Sequence, residues 1–387
     1  MIKAINVHRP DRISRLRGLE YRTVRSLVAD RNLKTPLLIL SRSEIRSGLD
    51  RLSKALPGVN VHYAVKSNNH EAILKEVVAA GHGFDVASSD ELNQIIRAGG
   101  QPDQAIHSHP IKAPSEIRAA FDMGARIFVV DNPDEIEKFR PYTGKVKLLV
   151  RFKVEDSQAV VNLSYKFGCE PNDVPALVEK ISRLKLDFYG VTFHVGSQCV
   201  KNDIYIKAVE AAGDIISRLT QSGYVIRLLD IGGGFPVPYT SRVLSIGEFC
   251  RPINRALRKR IPPEIRLACE PGRFVSAPAV TLVSSVIGKS KRSGRNWYFL
   301  DDGLYGSFSG RLYDHGEYRV LTNRNTTWKR SVLAGPTCDS FDVIYKDIIL
   351  PPLNLGDLLM FPAMGAYCSV SATNFNSLRK AEYIVID

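Results

Sequence analysis

The chain has 387 residues, 44% of them hydrophobic and 24% charged; at roughly 150 residues per domain this points to two or three globular domains and excludes a largely disordered chain. No run of eighteen apolar residues is present, which argues against a spanning helix, and no membrane contact is expected. The 53 Lys and Arg against 40 Asp and Glu give +13, a balance that by itself invites a nucleic-acid or anionic-membrane partner.

Residues 1–41 read as a basic N-terminal segment, a solvated helix leading into a strand at Pro36–Leu40. The segment is rich in Arg but has no apolar h-region, so no secretory signal is expected. From residue 59 a strand–helix alternation sets in. The strands are expected at Val59–Val65, Gly83–Ala87, Ala105–His107, Arg126–Val130, Val146–Phe152, Phe188–Val195, Val225–Ile231 and Arg266–Glu270. Capping boxes are expected at Ser88 with Glu91 and at Asn132-Pro133 with Glu135. Eight units over residues 42–275 predict an α/β fold, a closed (β/α)8 TIM barrel, in preference to an open doubly wound sheet. Residues 276–387 change character. Val280–Ile287, Trp297–Leu300, Val343–Leu350, Leu358–Phe361 and Tyr383–Ile386 predict an all-β domain, completed by the N-terminal strand.

Barrel enzymes carry their chemistry at the C-terminal ends of the strands. Here those ends hold Lys66, Asp85, His194-Val195-Gly196-Ser197, Gly232-Gly233-Gly234 and Glu270-Pro271-Gly272-Arg273. Each alone has an ordinary explanation: a solvated lysine, a core histidine, a turn that needs positive φ, a salt-bridged turn. Together they form an inventory. A glycine loop and an arginine suit a phosphate, a lysine suits an aldehyde, and a glutamate can hold a pyridine nitrogen protonated. With a histidine to stack on the ring, that inventory describes pyridoxal phosphate. The dinucleotide fingerprint GxGxxG is absent from the first strand–helix turn.

The stretches His62-Tyr63-Ala64-Val65-Lys66, Phe84-Asp85-Val86-Ala87-Ser88, His109-Pro110-Ile111-Lys112, Lys166-Phe167-Gly168, His194–Ser197, Asp230–Pro236, Glu270–Arg273, Gly335–Asp342 and Gly365-Ala366-Tyr367 resemble the ornithine/diaminopimelate decarboxylase family from about residue 35 onward. The resemblance implies an alanine-racemase-like barrel and pyridoxal 5'-phosphate as cofactor. It implies Lys66 as the Schiff-base lysine, His194 on the ring face and Glu270 at the pyridine nitrogen. Ser197, Gly233, Gly234, Arg273 and Tyr367 would take the phosphate, with Asp85 and Arg151 supporting the lysine and its surroundings. Cys338 would manage protonation after carbon dioxide leaves. Cys338 and Asp339 would reach into a second subunit's site, making the enzyme a homodimer.

The substrate expectation rests on the same resemblance. Tyr313-Asp314-His315 looks like the ornithine type, in which the aspartate binds a distal ammonium. Cys338 is followed by Asp339, where a diaminopimelate enzyme would carry glutamate. Asp314 and Asp339, from opposite subunits and with Tyr305 and Phe375 lining the site, therefore suit a basic amino acid: ornithine, or lysine one methylene longer. Arginine decarboxylases of this fold are expected to be much longer chains, which sets arginine aside. Cys368 and Ser377 depart from the family pattern, the latter where glycine is usual, and leave room for a specialised substrate. An amino-acid racemase would lack the Glu270–Arg273 and Cys338-Asp339 patterns, and an inactive regulatory homologue would lack cofactor residues that are present here.

The six cysteines, Cys169, Cys199, Cys250, Cys269, Cys338 and Cys368, form no CxxC pair and no framework spacing. They read as free thiols of a reducing compartment, so the cytoplasm is expected and a metal is not. Residues 1–35 carry nine basic and three acidic residues, +6 of the +13. The basic clusters interleave no aromatics, and a cationic substrate gains nothing from a positive surface, so no nucleic-acid partner is expected.

Overall fold

The structure, a computed structural model, describes residues 21–30, 32–154, 165–314, 316–324 and 327–387. The chain divides into two compact units, one of Met1–Glu44 with Ala277–Asp387 and the other Ile45–Ser276.

Strand β1 (Leu37–Ser41) belongs to the first unit. The next eight build the second: β2 (Val59–Ala64), β3 (Gly83–Val86), β4 (Ile106–His107), β5 (Ile127–Val130), β6 (Lys147–Arg151), β7 (Asp187–Thr192), β8 (Leu228–Asp230) and β9 (Arg266–Cys269). They pair in parallel in chain order and close into a barrel. Closure is made by β9 against β2, Val59 opposite Leu267 and Val61 opposite Cys269. All eight expected strands are present. They read as short apolar runs because parallel strands are covered on both faces. A packed layer of Ile106, Ile127, Val129, Leu149, Tyr189, Leu228 and Ala268 fills the interior. Gly190 marks the tightest crossing. A Cβ there would collide with the Leu228 carbonyl, and the β6–β7 register shifts beside it.

The helix starts are set by local chemistry. Asn132 accepts from the N–H groups of Asp134 and Glu135 at 3.1 and 3.0 Å, and Pro133 follows at the first position. Ser88 accepts from the Glu91 N–H at 3.2 Å. The reciprocal halves of both boxes are diverted. The Glu91 carboxylate takes the Ala87 N–H at 2.7 Å, and Glu135 takes the Lys112 N–H at 3.1 Å. A complete box, not anticipated from sequence, forms at Ser245 and Glu248.

In the other unit, β10 (Val280–Arg292), β11 (Arg295–Leu300), β12 (Lys329–Ala334), β13 (Val343–Leu350), β14 (Leu358–Phe361) and β15 (Glu382–Ile386) join β1 in one sheet. Its order is β13-β12-β11-β10-β1-β15, with β14 also on β10. β1 runs antiparallel to β10 and parallel to β15. Strand β12 was not expected from sequence: Lys329 and Arg330 are exposed and only Ser331–Ala334 are buried, so its apolar run is too short to stand out. The basic segment also differs from expectation. Within Tyr21–Asp30, Val24 is buried with Leu37, Ile39, Val283 and Met360, and Leu27 and Val28 pack against them. These three lie at helical spacing, so this helix is packed rather than solvated. Residues 1–20 lie outside the described residues.

Candidate active site

Lys66 lies on a 3-10 turn, Val65–Ser67, directly after β2. The Ala64 N–H donates to the Pro271 carbonyl at 3.0 Å, which ties this turn to the Glu270–Arg273 loop. The Lys66 ammonium pairs with the carboxylate of Asp85 at the end of β3; Asp85 is fully buried and its second oxygen has no hydrogen-bond partner. Glu91 stands beside this pair. Burial raises its carboxyl above the usual range, opposed by the Ala87 N–H and by Lys66. Sequence reasoning took Glu91 only as a cap, because one residue serves both purposes.

Glu270 follows β9 and is buried with Oε1 lacking a hydrogen-bond partner. Burial, with the charges of Asp230 and Asp85 next, raises its carboxyl well above the usual range, while Lys66 opposes. Asp230, at the end of β8, accepts from the Gly232 N–H at 2.9 Å and the Thr192 hydroxyl at 3.1 Å. Burial raises the carboxyl of Asp230 too, but these donors oppose the rise, and of the pair Glu270 is the one that keeps the proton. His194, whose Nδ1 accepts from the Gly196 N–H at 3.0 Å, is held neutral. Burial lowers its pKa well below the ordinary imidazole value, and Arg151 and Lys66 add to this. Arg151 closes β6, its buried Nε without a partner, and burial weighs against its charge while Glu270, Asp131 and Asp85 support it.

The third part is a cradle. Arg273 donates from Nη2 to the Ser197 hydroxyl at 2.8 Å and from Nη1 to Tyr239 at 2.8 Å. Ser197 thus accepts from the guanidinium and keeps its own proton to donate. The carbonyls of the triple glycine are all engaged: Gly232 by the Glu270 N–H at 2.9 Å, Gly233 by Tyr205 at 2.6 Å, Gly234 by the Cys199 N–H at 2.8 Å. Among the described residues nothing accepts the N–H of Gly233 or Gly234. Gly234 has φ +112°, and a Cβ on Gly233 would collide with the Glu270 carbonyl and lie 3.3 Å from His194 Nε2. Only glycine leaves this floor flat.

In the other unit a second cluster forms. The Tyr305 hydroxyl donates to Asp339, which holds the carboxyl of Asp339 below the usual range. Tyr305 stacks on Phe375, centroids 4.5 Å apart. Asn376 binds Cys338 twice, and Cys338 is exposed. The structure thus brings Tyr305, Cys338, Asp339 and Phe375 together, and adds Asn376. Asp314 ends the helical turn Gly310–Tyr313, and His315 lies outside the described residues. Tyr367 sits in a loop after β14 at φ +57°. Cys368 is buried against the Ala366 carbonyl, Sγ to O 3.3 Å. Buried Asp342 organises the cluster's loops, accepting from the Leu304 N–H at 2.7 Å and the Thr337 N–H and hydroxyl at 3.1 and 2.8 Å.

The residues fit pyridoxal phosphate on three observations. A buried carboxyl with an unpartnered oxygen could meet a ring nitrogen, free glycine N–H groups and Arg273 could meet a phosphate, and a lysine stands at a neighbouring strand end. No cluster of His, Cys, Asp and Glu among the described residues could hold a metal ion.

A closed barrel with this constellation at its strand ends defines an enzyme class that uses pyridoxal phosphate. The chain belongs to the pyridoxal-dependent decarboxylases: residues 42–277 match the model of their pyridoxal-binding domain. Lysine/ornithine decarboxylase of Selenomonas ruminantium is 35% identical over 92% of this chain and 91% of that protein. The structure of lysine/ornithine decarboxylase from Vibrio vulnificus, complexed with putrescine, is 40% identical, covers 96% of this chain and 99% of the other, and gives a TM-score of 0.90. A third relative corrects one expectation. Arginine decarboxylase of Paramecium bursaria Chlorella virus is 29% identical, covers 94% of this chain and 100% of its own, with a TM-score of 0.89. Enzymes of this fold that are named for arginine need not be longer, so length does not set arginine aside.

Proposed function

We propose that the chain is a pyridoxal-phosphate-dependent carboxy-lyase that removes the α-carboxylate of a basic L-amino acid, ornithine or lysine first, in polyamine formation. The observation that carries this is the buried Glu270–Asp230 pair beside His194. When bound, the cofactor supplies an electron sink for the carbanion left by carbon dioxide. Glu270 holds a proton at its carboxyl, where a pyridine nitrogen can take it up. Neutral His194 offers a flat ring without adding positive charge. Lys66, kept by Asp85, supplies the amine that anchors an aldehyde. Ser197, Gly233, Gly234 and Arg273 would hold the phosphate, and Arg151 balances the buried carboxylates.

The distal end of the substrate meets Asp339, kept ionised by Tyr305, with Asp314 and Phe375 completing the recognition. An ammonium or a guanidinium satisfies such carboxylates, whereas a distal carboxylate is repelled. Cys338 manages the proton that replaces carbon dioxide. The exposure of Cys338, Phe341 and Phe375 on one unit supports a homodimer in which this segment serves the site of a second copy. Six free thiols support a reducing compartment, the cytoplasm. Among the described residues no helix is long and apolar enough to cross a membrane.

The test is carbon dioxide release from L-ornithine, L-lysine, L-arginine and meso-diaminopimelate with added pyridoxal phosphate. Turnover of ornithine or lysine at ten times the diaminopimelate rate or more is expected. Comparable rates on diaminopimelate would remove the distal-cation argument. Loss of optical rotation without carbon dioxide would make the protein a racemase.

A further inference from the structure

Asn376 was not among the residues that the sequence singled out, and its position is unusual. It has φ +55° and Ser377 has φ +54°, two successive left-handed residues with side chains. Such backbone persists only where surrounding contacts fix it. Here the fixing contacts run to Cys338. The Cys338 N–H donates to Asn376 Oδ1 at 3.1 Å, and Asn376 Nδ2 donates to Cys338 Sγ at 3.3 Å. The first bond settles the second. A backbone N–H can only donate, so the amide atom facing it is the oxygen, and the NH2 group must face the sulfur. The sulfur is therefore an acceptor toward Asn376, and a thiol proton must point elsewhere. Preceding residue Phe375 is pinned by stacking on Tyr305, and the Phe375 N–H donates to the Thr373 hydroxyl at 3.2 Å. The turn that presents Asn376 is thus held from its N-terminal side as well.

We propose that Asn376 is a positioning residue for the decarboxylation: it fixes the sulfur of Cys338 and turns its proton away from the amide, toward the reacting carbon. Family departure at Ser377 falls next to this turn, and the left-handed backbone there explains why glycine would also suit that position. The inference rests on the proposed role of Cys338 in protonation.

The test uses the pyridoxal-phosphate-loaded protein and two readouts, turnover and the rate at which iodoacetamide alkylates Cys338, resolved by peptide mass. Asn376→Asp keeps the shape, the left-handed backbone and the acceptor for the Cys338 N–H, but sets an acceptor against the sulfur. Alkylation of Cys338 should slow about tenfold at neutral pH, with its pH profile moved upward, and kcat should fall more than KM rises. Asn376→Gly, which suits the backbone, should also lose kcat while keeping the cofactor absorbance. In a Cys338→Ala background, Asn376→Asp should change kcat no further. Wild-type alkylation in Asn376→Asp, full turnover in Asn376→Gly, or a kcat loss that persists without Cys338 would each overturn the proposal. Normal turnover of Cys338→Ala alone would instead overturn the role given to Cys338, and the alkylation rates would still report whether Asn376 orients the sulfur.

Discussion

The barrel unit and the β unit hold their functional groups in opposite ways. In the barrel, Asp85, Asp230, Glu270 and Arg273 are buried, and they pair with one another or with side chains such as Lys66, Thr192, Ser197 and Tyr239. In the β unit, Cys338 and Phe375 are exposed, and the cluster is held mainly side chain to side chain. Buried groups in a low dielectric can shift one another's protonation strongly; exposed ones act on what covers them. The contrast fits the proposal of a cradle finished within one chain and a surface that serves the site of a second copy.

The largest effect should come from the cradle. Lys66→Ala is expected to remove the visible absorbance of the bound cofactor and to cut decarboxylation by roughly 1,000-fold or more; an unchanged absorption band would assign the anchor to another lysine. Glu270→Ala should fold and bind cofactor yet lose roughly 100- to 1,000-fold in kcat, and near-normal turnover would show that the buried pair is not the electron-sink partner. Asp339→Asn belongs to the other side of the comparison. It should leave the absorbance untouched and raise KM for ornithine roughly tenfold, so a change in absorbance instead would blur the division drawn here.

A last effect lies outside this comparison and concerns stability alone. His107, at the end of β4, is buried with neither ring nitrogen hydrogen-bonded. Burial, with Lys112 next, pushes its pKa down to about 3. In the unfolded chain it titrates near 6.5, so the unfolded state takes up the proton first as pH falls. Stability is full above about 6.5 and falls toward 3, the loss reaching about 3 kcal/mol at pH 4. Denaturant unfolding at pH 7 and 4 should show a smaller drop for His107→Leu than for wild type, and equal drops would mean that His107 is protonated without cost.

Much of this was legible in the sequence because of where the groups sit. Parallel strands buried on both faces read as apolar runs, and barrel chemistry gathers at their C-terminal ends, so Lys66, Asp85, His194, Glu270 and Arg273 could be singled out together by position. Strand β12 was hidden by Lys329 and Arg330 at its exposed start. Glu91 and Asp230 were hidden by double duty, one as a cap and the other as a strand end whose partner is known only after closure. Asn376 gave no signal at all. Its role depends on a backbone conformation and on a cysteine 38 residues away, neither of which periodicity encodes.

The central claim is that the cradle belongs to one chain and the Cys338-Asp339 segment to the site of another. Mixing Lys66→Ala with Cys338→Ala protein, each nearly inactive alone, tests it directly. Random pairing makes half of the dimers mixed, each with one intact site, so activity should return to about a quarter of wild type. No recovery after confirmed subunit exchange would contradict the account and place both elements in the same chain's site.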